Sequence, residues 1–212
     1  MHILLTDILT CPRCGPEFGL ILLADRVEDR RVLEGSLGCS NCREMYTVAG
    51  GAADLRTRDG ADAAGSGDPD AAVRLAALMG LAGTGGTVLV AGPGAELAPA
   101  IAALVPGAEV VALTRALVGG ADEPGVSRVA GGPGIPFRDG VLRGVALTGA
   151  AVAEVPPAEA LRVVAPGTRV VLDPAPAGAA EALRAAGAEL LLEQEGVVVA
   201  RRAGPSTGPA RR

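Results

Sequence analysis

Cys11-Pro12-Arg13-Cys14 is the stretch that decides how the first part of this chain folds, together with Cys39-Ser40-Asn41-Cys42 further on. These are the only cysteines in the sequence, and 24 residues separate the two pairs. A Cys-x-x-Cys turn supplies two thiolates at once, and two such turns complete a tetrahedral zinc site. Four thiolates leave no open coordination position. The spacing therefore predicts a structural zinc ion held by all four cysteines.

The same cysteines admit two other interpretations. Two disulfides would need bridges between the neighbouring cysteines of each pair, which are strained, and no secretion signal precedes them. A redox pair of the thioredoxin type would need a βαβ context, which the surrounding sequence lacks. Zinc is the interpretation that fits both the spacing and the context.

The composition limits the classes of protein to which the chain can belong. Its 212 residues are 49% apolar, which suffices for a packed core, and the only aromatic residues are Phe18, Tyr46 and Phe137. A net charge of −5 and a pI near 5.0 argue against general electrostatic binding of nucleic acid. The aromatic side chains on which bases could stack are also missing. No apolar run approaches a membrane span, so we expect a cytoplasmic protein with reduced thiols.

Changes in the sequence pattern divide the chain into four segments. Residues 1–58 carry the cysteine pairs and two apolar runs separated by a charged stretch, which is typical of a hairpin. Residues 59–67 are small and polar and predict a flexible linker. Strand and helix patterns alternate from residue 68 to residue 202, which predicts a separate α/β domain. Residues 203–212 are rich in Pro, Gly and Arg, as in disordered tails.

The alternating segment predicts five parallel strands and a final hairpin. The predicted strands cover 87–91, 109–114, 126–130, 141–148 and 168–172, and the hairpin covers 188–193 and 196–202. Asp68 and Pro69 predict the start of a helix before the first strand. Further helices are predicted over 96–105, 156–165 and 179–186.

Three groups of residues surround the cysteines in a recognisable order. They are Leu4-Leu5-x-x-Ile8-Leu9-x-Cys11-Pro12-x-Cys14, Glu34-Gly35-x-Leu37-x-Cys39-x-x-Cys42 and Tyr46-x-Val48. This pattern resembles the small zinc-ribbon family that activates tRNA, rRNA and release-factor methyltransferases and that is also found fused to methyltransferase domains. The resemblance implies a protein partner that is a methyltransferase or belongs to the translation machinery. Strand addition at an edge of the ribbon is the expected mode of contact.

The segment that follows carries a second resemblance. Its three stretches are Val88–Gly94, Ile135–Gly140 and Leu161–Leu172. They resemble the glycine loop, the Leu-Pro-Phe-x-Asp-Gly segment and the fifth strand with its preceding helix in class I S-adenosylmethionine (SAM) dependent methyltransferases.

Together the two resemblances imply an α/β fold. A Rossmann-like class I methyltransferase sheet, mostly parallel with a reversed last strand, would follow a small zinc-ribbon β domain. The glycines of the loop would let the backbone approach the methionine part of SAM. The residues expected to line the SAM site are Gly92, Gly94, Thr114 and Phe137.

The sequence departs from the methyltransferase pattern where SAM would be bound. Val90 stands where the family has an acidic residue in the first strand, and Glu96 stands where it has a small loop residue. Thr114 replaces the acidic residue that binds the two ribose hydroxyls. Gly131 replaces the acidic residue that accepts a hydrogen bond from the adenine amine. Each lost contact costs about 1–3 kcal/mol, so several together would remove most of a micromolar affinity. Asp173 is the best-placed carboxylate, but it fits a turn before Pro174. The sequence therefore predicts no catalytic residue.

Three functions stay open at this point. The working hypothesis is a non-catalytic binding or regulatory subunit with a degraded SAM site. The alternative is an active SAM-dependent methyltransferase with a remodelled pocket, since methyl transfer to a reactive nucleophile needs only proximity and orientation. A nucleic-acid-binding ribbon is the third possibility. It would use Arg26, Arg30, Arg31 and Arg43, whose charge neighbouring acids cancel.

Overall fold

The computed structural model describes residues 1–58, 60, 68–83, 85–116 and 123–204. The predicted linker, apart from Gly60, and residues 205–212 of the predicted tail lie outside the described residues. No helix in the described part of the chain combines the length and apolarity needed to cross a membrane.

The cysteine-containing part is a series of antiparallel strands. A short 3₁₀ helix (Ile3–Asp7) is followed by β1 (Thr10–Cys11), β2 (Gly15–Glu28), β3 (Arg31–Cys39), β4 (Met45–Ala49) and β5 (Ala52–Asp54). The predicted hairpin is confirmed as the β2–β3 pair. Of the leucines that precede Cys11, Leu5 and Leu9 are buried, whereas Leu4 is 53% exposed.

The second part alternates strands and helices. It comprises α1 (Pro69–Met79), β6 (Gly86–Ala91), α2 (Ala98–Leu104), β7 (Ala108–Thr114), β8 (Val126–Ala130), β9 (Leu142–Thr148), α3 (Ala150–Glu154), α4 (Pro157–Val163), β10 (Val164–Asp173), α5 (Ala179–Ala185), β11 (Ala188–Gln194) and β12 (Val197–Arg202). The predicted helix start is confirmed, since the Asp68 carboxylate accepts the Asp70 N–H (3.0 Å). Gly80 ends α1 with φ +69°.

All twelve strands in the described residues belong to one sheet. Their order is β1-β2-β3-β4-β5-β8-β7-β6-β9-β10-β12-β11. The strands β5, β8, β7, β6, β9 and β10 pair in parallel, and β12 returns antiparallel to β10, as the predicted reversed last strand requires. The prediction of a mostly parallel sheet is nevertheless wrong for the whole sheet, which is mixed. The antiparallel ribbon strands extend it because β5 pairs with the edge strand β8.

The two parts also share a core and a polar contact. Leu9 forms a β-bridge with Phe137, and both side chains lie in one apolar cluster that continues into the sheet. The buried Arg31 guanidinium donates to both carboxylate oxygens of Glu109 (2.7 and 3.3 Å) and to Ser127 Oγ. Removing one partner of a buried ion pair costs about 3–5 kcal/mol, so this contact holds β3 against β7 and β8.

Candidate metal centre and cofactor cleft

The four cysteine sulfurs converge at the end of the ribbon. Cys11 ends β1 and Cys14 follows on the turn before Gly15, whose φ of +97° only glycine adopts readily. Cys39 ends β3, and Cys42 lies on the next turn, where the Arg43 N–H donates to the Cys39 carbonyl (2.9 Å). The four Sγ atoms lie within 4.8 Å of one another.

The sulfur spacing fits a tetrahedral metal ion. Cys11 Sγ lies 3.7 Å from Cys42 Sγ, and Cys14 Sγ lies 3.8 Å from Cys39 Sγ. Zinc–sulfur bonds of about 2.3 Å in a tetrahedron place neighbouring sulfurs about 3.8 Å apart. The cluster predicted from the sequence is therefore assembled, and its donor set can hold a metal ion.

Hydrogen-bond donors surround the sulfurs. The buried Tyr46 hydroxyl lies 3.4 Å from Cys11 Sγ, and the Asn41 side-chain amide donates to Cys14 Sγ (3.3 Å). Burial acts to raise the pKa of Cys39, but the N–H groups of Cys42 and Asn41, with the neighbouring thiols, lower it to about 7. Such donors stabilise thiolates and orient them for a metal.

Thr148 closes the glycine loop that follows β6. The Gly94 N–H donates to Thr148 Oγ1 (2.7 Å), and that hydroxyl donates to the Ala91 carbonyl oxygen (2.6 Å). A Cβ on Gly92 would lie 2.3 Å from the Thr148 carbonyl oxygen, and one on Gly94 would lie 2.7 Å from Thr148 Cγ2. The backbone and side chain of Thr148, with the φ of +79° at Gly92, thus explain why both positions are glycine without any ligand.

Two further groups occupy the carboxyl edge of the sheet. Thr114 Oγ1, expected beside the ribose, donates to the Ala116 carbonyl oxygen (2.7 Å). Arg115, directly after β7, pairs with Glu154 at the end of α3, which follows β9. Because β6 lies between β7 and β9, this ion pair crosses the carboxyl end of β6, where Rossmann-type sheets bind ligands.

The position expected to contact adenine is also filled. Gly131 follows β8, and a Cβ there would lie 2.9 Å from Leu113 Cδ1. An acid at this position would require Leu113 to move. Glu96, which replaces a small residue of the loop, has an exposed side chain on the 3₁₀ turn Gly92–Leu97 and does not block the loop.

A crevice of about 170 Å³ remains between α1 and the glycine loop. Arg74 of α1 and Asp173 of β10 line it and pair with each other (2.7 Å). Sites for drug-sized ligands measure about 300–1,000 Å³, so this crevice is small for a nucleoside-sized cofactor. Because it pairs with Arg74, Asp173, which the sequence singled out as the best-placed carboxylate, has a structural partner here.

The remaining predicted residues lie elsewhere. Phe137, expected beside SAM, is fully buried against the ribbon through its bridge to Leu9. Arg31, one of the arginines proposed for nucleic acid, is turned inward to Glu109. Sequence reasoning missed Thr148, since no local signal announces a hydroxyl whose partners lie more than fifty residues away.

Comparisons with known proteins found similarity only among solved structures. Scans of protein-family models and of curated proteins found no match. The chain is similar to a geranyl diphosphate methyltransferase in complex with SAM, with 13% identity and a TM-score of 0.51 over 64% of this chain and 85% of that chain. It is also similar to the 4+2 cyclase SpnF, with 18% identity and a TM-score of 0.50 over 65% and 81%.

A third solved structure is the precorrin-6y C5,15-methyltransferase from Geobacter metallireducens GS-15, with 13% identity and a TM-score of 0.48 over 63% of this chain and 88% of that chain. The two matches with TM-scores of 0.51 and 0.50 show a shared fold, and at identities of 13% and 18% they leave the activity open. The chain therefore has a methyltransferase-like α/β fold that carries, near its amino terminus, a cysteine cluster able to hold a metal ion.

Proposed function

We propose that this protein is a non-catalytic member of the methyltransferase fold, acting as a binding or regulatory subunit. The observation that carries the proposal is the closure of the glycine loop by Thr148. A SAM site needs the loop backbone to be open to the ligand, but here the Gly94 N–H already has a partner. The Arg115–Glu154 ion pair across β6 supports the same conclusion.

The metal in this proposal is a structural zinc ion held by Cys11, Cys14, Cys39 and Cys42. Four sulfurs at tetrahedral spacing favour zinc over cations that prefer oxygen ligands. Four-sulfur coordination has no position for a substrate or a water molecule. The ion would hold the ribbon turns together and take no part in chemistry.

The outer edge of β2 is the surface we assign to a protein partner, a methyltransferase or a translation component. β5, at the other end of the ribbon, already pairs with β8 of the same chain. β1 pairs with β2 only near Gly15 and Gly19. Beyond that point Leu20 is buried, but every residue of β2 from Leu23 onward is exposed. Ile21 and Leu23 there are each 57% exposed, which suits addition of an apolar strand.

Affinity capture tests the proposal. The zinc-loaded full-length protein is used as bait, beside the variant I21K/L23K, which places charge on the β2 surface while leaving the buried face unchanged. We expect wild type to retain a methyltransferase or a translation component, and the variant to lose it. Failure of wild type to retain either class of protein, or equal capture by both baits, would contradict the proposed role.

A further inference from the structure

A cavity of about 200 Å³ opens at the amino-terminal edge of the parallel strands, away from the glycine loop. It lies where β6 begins and β12 ends, under the turn that follows α1. Among the described residues that line it, three are charged, and all three are arginines: Arg143, Arg169 and Arg201. No aspartate or glutamate belongs to this described lining.

The positive charge of this lining contrasts with the net negative charge of the whole chain. The chain has 24 acidic and 19 basic residues, yet the charged residues among the described ones that line this cavity are all basic. Arg169 of β10 lies directly opposite Arg201 of β12 in the antiparallel register. Like charges directly opposite one another destabilise a sheet, and Glu189 offsets the charge of Arg201 alone, so a bound anion would relieve the cost that remains at Arg169.

Two glycines make room for the arginine side chains. A Cβ on Gly80 would lie 2.9 Å from Arg169 Cζ, and one on Gly86 would lie 2.6 Å from Arg143 Cγ. Neither side chain could occupy its place beside a larger residue. Both glycines also have positive φ (+69° and +120°), so the backbone conformation that favours glycine here also leaves space for the arginines.

The arginines keep donors available. Arg169 Nη1 lies 3.3 Å from the Leu78 carbonyl oxygen at the end of α1, and Arg201 pairs with the exposed Glu189 at the rim. The Arg143 guanidinium has no hydrogen bond or ion pair with any other residue among those described. Each guanidinium carries five N–H donors, so several remain for a ligand.

We infer that this cavity is a binding site for a small phosphate-bearing anion. Guanidinium groups bind phosphate oxygens through paired, charge-assisted hydrogen bonds. Converging arginines favour phosphate over carboxylate because a phosphate group presents three or more acceptor oxygens on one centre, whereas a carboxylate group presents two. The volume admits a phosphate or a pyrophosphate and is small for a nucleotide. This site is independent of the proposed subunit role, since it shares no residue with the glycine loop or with β2.

Calorimetric titration of the zinc-loaded full chain with inorganic pyrophosphate, phosphate and citrate at constant ionic strength tests the inference. The variants are R143Q, which breaks no contact within the described residues, and R201Q. The matched control is R184Q, because Arg184 is an exposed arginine paired to Glu181 and Glu193 away from the cavity. A further variant, E189Q, removes the acid that competes for Arg201. Thermal unfolding checks that each variant is folded.

We expect pyrophosphate to bind more tightly than citrate and to raise the unfolding temperature. R143Q and R201Q should weaken binding about tenfold or more, R184Q should leave it unchanged, and E189Q should strengthen it. Absence of binding to wild type would overturn the inference. So would equal affinity in wild type and R143Q, or a preference for citrate.

Discussion

Thr148 occupies, with its hydroxyl and its methyl group, the space beside the two glycines that follow β6. We expect T148A to lower the free energy of unfolding by about 1–3 kcal/mol, because the Gly94 N–H and the Ala91 carbonyl lose their partner. T148S keeps the hydroxyl and should cost only about 1 kcal/mol. Denaturant unfolding measures both. Equal losses in the two variants would show that the hydroxyl does not hold the loop.

His2 is the only histidine in the sequence, so its titration can be isolated. Burial is the largest influence and lowers its pKa below 6.5, although Glu109 opposes the shift. The unfolded chain therefore binds the proton more tightly than the folded chain. The contribution of neutral His2 to the free energy of unfolding is complete above pH 6.5 and is lost as the pH falls below that value.

The variant H2N checks this titration. Asparagine retains an acceptor for the Leu4 N–H, which donates to His2 Nδ1 in the folded chain. Between about pH 7 and pH 5, wild type should lose more unfolding free energy than H2N, measured by denaturant unfolding. Parallel pH profiles for the two proteins would mean that His2 does not contribute.

The sequence predicted the role of a single residue only where that residue belongs to a local motif. The cysteines were predicted because Cys-x-x-Cys brings its sulfurs together within one turn. Phe137 lies in a motif that resembles a cofactor segment, yet it packs on Leu9, since a ribbon covers this side of the sheet. Contacts that depend on distant segments, as at Thr148 and Arg31, have no local signal.

At the scale of elements, the β2–β3 hairpin turns through residues that disfavour its geometry. Asp29 and Arg30 both have positive φ (44° and 65°), where Asn-Gly is preferred. We expect R30G to raise the free energy of unfolding by about 1 kcal/mol, because glycine adopts this conformation without steric cost. The control R26G, within β2, should lower it by about 0.5–1 kcal/mol. Destabilisation by R30G, measured by thermal unfolding, would contradict this account of the turn.

Most strands could be predicted because each carries its own apolar run; residues 126–130 form β8 as expected. β5 could not, since Ala52, Ala53 and Asp54 have no strand preference of their own. Their conformation comes from pairing with β4 on one side and β8 on the other. Missing this one element is why the sequence predicted two separate sheets.

In the whole molecule, the pairing of β5 with β8 couples the metal site to the rest of the fold. Structural zinc contributes about 10–16 kcal/mol in small zinc domains, which is comparable to the whole stability of a typical protein. We expect chelation to lower the unfolding temperature of the entire protein in one transition, because ribbon and sheet share a core. Differential scanning calorimetry with and without chelator measures this.

The control for metal removal is a C14S/C42S variant, in which chelator should have no further effect. A high-temperature transition that chelator leaves unchanged in wild type would contradict the coupling. It would favour the two independent domains predicted from the sequence, residues 1–58 and 68–202, whose boundary remains a prediction.

We propose that the cofactor cleft of this methyltransferase-like fold is closed. Calorimetric titration of the zinc-loaded protein with SAM and with S-adenosylhomocysteine is the direct test of this proposal. We predict no binding heat and no change in unfolding temperature with either compound, because Thr148 and the Arg115–Glu154 pair occupy the carboxyl edge of β6. Binding of either compound at micromolar affinity would contradict the account and favour an active methyltransferase with a remodelled pocket.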